Sequence, residues 1–66
     1  MIIEVNGEEV EIFSGARVKN VIMKYSREEY EKIKAGEKMV RDKYGNEVML
    51  SGELTGREEL KTVKRS

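Results

Sequence analysis

The sequence predicts an α+β domain on three observations: two short β-runs joined by Asn6-Gly7, apolar residues at helical spacing over 16–25, and a return to period-two alternation from Lys38 onward. One small domain spanning 1–66 accommodates all three. The runs MIIEV and EEVEIF flank Asn-Gly, the dipeptide that best tolerates the positive φ angles of a type I′ hairpin turn. A two-residue turn there sets Val5 opposite Glu8, Glu4 opposite Glu9 and Ile3 opposite Val10. Alternation then places Met1, Ile3, Val5, Val10 and Ile12 on one face, and Ile2, Glu4, Glu9, Glu11 and Phe13 on the other. The first set is the core face. An isolated hairpin is marginal in water, so the rest of the chain must supply a helix to cover that face and strands to widen the sheet.

Val18, Val21, Ile22 and Tyr25 stand at i, i+3, i+4 and i+7 and form the apolar stripe of that helix. Arg17, Lys19, Asn20 and Lys24 take its wet side, and Ser14 is the expected N-cap. Ser26-Arg27-Glu28-Glu29 has the form of a capping box, opening a short second helix that either stands apart or continues the first and stops at Gly36. Only Tyr30, Ile33 and Ala35 are available for burial there, so its Glu28, Glu29 and Glu31 read as a solvated helix start and not as cation ligands.

Met39-Val40-Arg41-Asp42, a turn at 43–46 and Glu47-Val48-Met49-Leu50 read as a second hairpin with Val40, Val48 and Leu50 inward. Leu54 is a lone apolar residue that plugs the core, and residues 59–64, carrying Leu60 and Val63, are the last strand of a mixed sheet, with Arg65 and Ser66 fraying.

Hairpin, helix, further strands and a last strand able to insert beside the first resemble the β-grasp, or ubiquitin-like, arrangement. Ile3-Glu4-Val5-Asn6-Gly7-Glu8-Glu9-Val10, the helix after Ser14-Gly15, Tyr44-Gly45-Asn46-Glu47-Val48 and Gly52-Glu53-Leu54-Thr55-Gly56 are similar to the small sulfur carriers of thiamine and molybdopterin synthesis. That resemblance implies a carrier whose Gly-Gly tail is adenylated and thiolated. This chain departs from it, since no glycine follows Gly56 and Gly56 precedes Arg57 where the family has an Asp. The implied reading is a divergent relative without the carrier tail.

Composition narrows the chemistry. The chain has neither His nor Cys, so the commonest general base, thiolate nucleophile and zinc ligands are absent, and no enzyme activity and no cofactor are expected. Cysteine-free composition, no apolar run of membrane length and no basic leader point to a cytoplasmic setting without membrane association. Lys plus Arg equals Asp plus Glu at 13 each, which argues against a strong nucleic-acid partner, and no small-molecule substrate is evident. Lys61, Lys64 and Arg65, joined by Lys43 and Arg57, form a candidate basic edge for RNA, weighed below a solvated strand end because no aromatic stacking platform accompanies them. The principal candidate site is apolar: Ile2 and Phe13, with Met39 and Met49, fall on the outer sheet face and suit a protein partner or self-association.

Overall fold

Asn6 and Gly7 take φ of +51° and +84°, the type I′ pattern, and the strands they join carry the register that follows from a two-residue bend. The computed structural model describes residues 1–65; Ser66 lies outside them. Strand β1 (Ile2–Val5) pairs antiparallel with β2 (Glu8–Glu11), setting Ile3 against Val10 and Glu4 against Glu9. Two helices follow, α1 (Val18–Tyr25) and α2 (Arg27–Lys34), then β3 (Lys38–Arg41), the two-residue β4 (Glu47–Val48) and β5 (Glu59–Lys64). The sheet runs β2-β1-β5-β3-β4, with β5 parallel to β1 and every other pair antiparallel. This α+β arrangement, an open mixed sheet begun by a hairpin, is compatible with a β-grasp fold.

The core lies between the helices and one face of the sheet. Ile3 and Val5 from β1, Val40 from β3 and Leu60 from β5 meet Val18, Val21 and Ile22 from α1, and each of these is essentially inaccessible to water. Leu54 closes one end, as its isolation in a polar loop predicts.

Several local expectations are corrected. Ser14 does not cap α1, which begins three residues after Gly15 with Arg17 at the N-cap. The cap is assembled from a distance instead: the Val18 and Lys19 N–H groups donate to the carbonyls of Gly52 (2.9 Å) and Leu50 (2.9 Å), and Asn20 Oδ1 accepts from the Arg17 N–H at 2.9 Å. The first helical N–H groups of Val18 and Lys19 still need acceptors, and the loop after β4 supplies them. Ser26, extended at φ −163°, separates the helices, ending α1 through its N–H to the Ile22 carbonyl and opening α2 by accepting from the Glu29 N–H at 3.2 Å. Glu29 does not complete that box, because its carboxylate is engaged elsewhere.

Gly36, at φ +84°, ends α2 in a Schellman motif, with Glu37 N–H on the Lys32 carbonyl and Gly36 N–H on that of Ile33. Tyr30 and Ile33 are half-buried, whereas Ala35, a burial candidate, is exposed. The strand predicted over 47–50 shrinks to two paired residues, since Leu50 and Ser51 already turn toward the start of α1. Arg65 does not fray: its N–H donates to the Glu37 carbonyl at 3.0 Å and its guanidinium to Glu47 at 2.8 Å. The expectation for Ser66 falls outside the described residues.

Candidate interaction face of the sheet

Both helices lie on the core side, so the other face of the sheet is covered by no element among the described residues. Its occupants follow from parity. Ile3, Val5, Val40 and Leu60 point inward, which sends Ile2 and Glu4 of β1, Glu59, Lys61 and Val63 of β5, and Met39 and Arg41 of β3 outward. The same alternation turns Glu9, Glu11 and Phe13 outward on the β2 side, and Glu47 and Met49 on the β4 side.

Of the four predicted contact residues, Ile2 is 50%, Phe13 60% and Met49 66% exposed, and Met39 is half-buried. They do not form one patch. Glu4 pairs with Glu59 and Met39 with Val63, so Ile2 and Phe13 sit near the start of β5 and the methionines near its end. Six residues of β5 between those levels span roughly 20 Å at the ~3.3 Å rise of a strand, and the two groups also lie on opposite sides of that strand. The face thus has two apolar corners on one diagonal. Parity also adds Val63, a residue the sequence reading did not single out, to the methionine corner.

At that corner a groove of about 300 Å³ runs over the β4 edge, lined by Met39, Met49, Val48, Leu50 and Ile33 and rimmed by the Arg65–Glu47 pair. Between the corners the face is charged. Glu9, Glu4 and Glu59 stand side by side on β2, β1 and β5, and Arg41 stands directly opposite Lys61. Like charges opposite one another on a sheet are destabilising, so the Glu9-Glu4-Glu59 row works against folding, whereas Arg41 has Glu47 opposite it on its other side. Lys43 approaches Glu59 at 3.6 Å; among the described residues no ion pair involves Glu4, Glu9, Glu11 or Lys61.

The chain matches no family model, no curated protein and no solved structure.

The candidate basic edge is dispersed. Strand β5 is the central strand, not an edge, because it inserts between β1 and β3. Lys61 and Lys64, three apart on a strand, project from opposite faces, and Arg65 is committed to Glu47. Lys43 lies over the Tyr44 ring at 5.4 Å and beside Glu59.

The strongest polar constellation lies on the core side, and the sequence reading missed it. Glu29, expected in solvent, has its side chain 16% exposed and accepts two hydrogen bonds from Lys38 Nζ (2.8 and 2.9 Å) and one from the Thr62 hydroxyl (2.7 Å). Thr62 is tied in turn to Asn6: its N–H donates to Asn6 Oδ1 at 3.0 Å, and Asn6 Nδ2 reaches Thr62 Oγ1 (3.0 Å) and the Tyr25 hydroxyl (3.1 Å). The Lys38 and Thr62 hydrogen bonds hold the Glu29 carboxyl below its ordinary value, against partial burial that pushes the other way.

Glu58 makes a second, smaller knot. Burial pushes its carboxyl up, but hydrogen bonds from the Thr55 and Gly56 N–H groups and the Thr55 hydroxyl outweigh that and leave it lowered. Both knots satisfy their own charges, so they serve as fasteners of the sheet end and the 55–58 turn. Neither presents a free acid or base to a substrate.

Proposed function

We propose that this protein is a small non-enzymatic interaction module that binds another protein through the outer face of its sheet. One observation carries the reading: a sheet face uncovered by either helix holds Ile2, Phe13 and Met49 in water at its corners. Exposed large apolar side chains standing beside charged groups on one uncovered face suit a protein interface. The absence of His and Cys from the sequence, and the self-satisfied state of Glu29 and Glu58, support a binding role over catalysis. The cysteine-free composition supports a cytoplasmic setting.

Immobilised protein, offered its own chain and an extract of the source cells, tests this against Ile2→Lys and Phe13→Glu. The wild type should retain protein that both variants lose while keeping the wild-type circular dichroism spectrum. Retention unchanged in both variants contradicts it.

The strand order β2-β1-β5-β3-β4 favours a second reading, a divergent sulfur-carrier relative of β-grasp type. Incubation with activating enzymes of that class and ATP tests it by mass spectrometry. An adenylate or thiocarboxylate on the chain's terminal carboxyl supports it, and an unchanged mass with each enzyme removes it.

A further inference from the structure

We infer that the partner for the outer face is a second copy of this chain, docked about a two-fold axis lying in the plane of the interface. The inference rests on the interaction reading above and goes further, because the face carries its own complement. An acidic block (Glu4, Glu9, Glu11 and Glu59) occupies the side nearer β2, and Arg41, Lys43 and Lys61 occupy the side nearer β3, where the one outward acid among the described residues, Glu47, is held by Arg65. The apolar corners lie on a diagonal of similar sense, Ile2 and Phe13 beyond the acidic block, Met39 and Met49 beyond the basic residues.

A two-fold axis crossing that diagonal superposes opposites. Glu4 of one copy comes over Lys61 of the other, and Phe13 over Met49. In such an isologous contact each pairing occurs twice. The side-by-side Glu9-Glu4 contact, which opposes folding of the single chain, is relieved by Lys61 of the second copy, while Glu59, close to the axis, keeps Lys43 of its own chain at 3.6 Å. A basic partner of another kind would answer only the acidic block, and an acidic one only the basic residues. Zero formal net charge adds no long-range repulsion between copies. The face of so small a domain is at the low end of interface size, so the pair should be weak and reversible.

Sedimentation equilibrium on the full chain, from micromolar to millimolar and at low and high salt, tests this with Glu4→Lys and Lys61→Glu. The wild type should dimerise, less so at high salt. Each single reversal should weaken the dimer about tenfold, because each acts at two symmetric contacts. The decisive sample is the equimolar mixture of the two variants. In the mixed pair the lysine introduced by Glu4→Lys meets the glutamate introduced by Lys61→Glu, and the unchanged Lys61 of the first variant meets the unchanged Glu4 of the second. A heterodimer of wild-type strength should therefore form although neither variant pairs well alone. A mixture no tighter than its components, or a wild type monomeric throughout, overturns the two-fold pairing. Phe13→Glu separates this from the broader reading: if the wild type is monomeric yet retains a different protein that Phe13→Glu loses, the self-pairing falls and the interaction module stands. If neither self-pairing nor retention occurs, both fall.

Discussion

Asn6 does two jobs that sequence reading assigns to one. Its positive φ makes the hairpin turn, and its side chain ties that turn to Thr62 and Tyr25, across 56 residues of chain in the first case. The two can be separated. Asn6→Gly keeps the turn conformation and loses the three ties, and should cost about 2–3 kcal/mol of unfolding free energy at ~1 kcal/mol per hydrogen bond. Asn6→Ala adds the left-handed strain of a Cβ, about 1–2 kcal/mol more. Urea denaturation of both variants checks the order. The turn was legible in the sequence because Asn-Gly is a local signal. The ties were not, because nothing near Asn6 announces a threonine in the last strand.

Glu29 and Glu58 set the acid response at the same scale. Both carboxyls lie below the ordinary value of 4.5 in the folded chain. A depressed folded-state value stabilises above the unfolded-state value and ceases to do so as pH falls through the folded one. Stability should therefore decline below about pH 4.5, and Glu29→Gln should flatten that decline while lowering stability near neutrality. Chemical denaturation at several pH values between about 2 and 7 reads both.

Among the elements, α1 shows where local inference fails. Its buried stripe of Val18, Val21 and Ile22 was readable from spacing, but its start was not, because the acceptors for its first N–H groups are carbonyls of Gly52 and Leu50. Ser14→Ala should change stability by less than ~0.5 kcal/mol, as for an exposed side chain without partners, whereas Asn20→Ala should cost about 1 kcal/mol. Thermal unfolding of the pair shows whether Asn20, and not Ser14, supplies the side-chain cap. The end of α2 behaves oppositely. Gly36 was identifiable from sequence because a Schellman ending needs the left-handed conformation at one position, and Gly36→Ala should cost about 1–2 kcal/mol.

For the whole molecule, side-chain parity is the decisive quantity. It made Ile3, Val5 and Val40 legible as core from the turn and the alternation, whereas Leu60 and Val63, read together as the apolar residues of the last strand, fall on opposite faces. It also placed Ile2, Glu4, Glu9, Glu11 and Phe13 on the outer face. Their grouping was not legible, because which strands are neighbours, and at what level, depends on β5 inserting parallel to β1, and only the sheet order reveals two corners with a charged band between them. The same parity separates Glu4 and Glu9 from Lys61 on the outer face, the arrangement on which the proposed pairing of two copies rests.

Methyl NMR with a soluble paramagnetic agent tests that claim most directly, with Ile2 and Met49 as reporters at the two corners and Ile3 as the buried control. In dilute solution Ile2 and Met49 should relax strongly and Ile3 should not, and at millimolar concentration Ile2 and Met49 should become protected together. An Ile3 signal relaxed as fast as Ile2, or corners equally accessible at every concentration, would contradict the account.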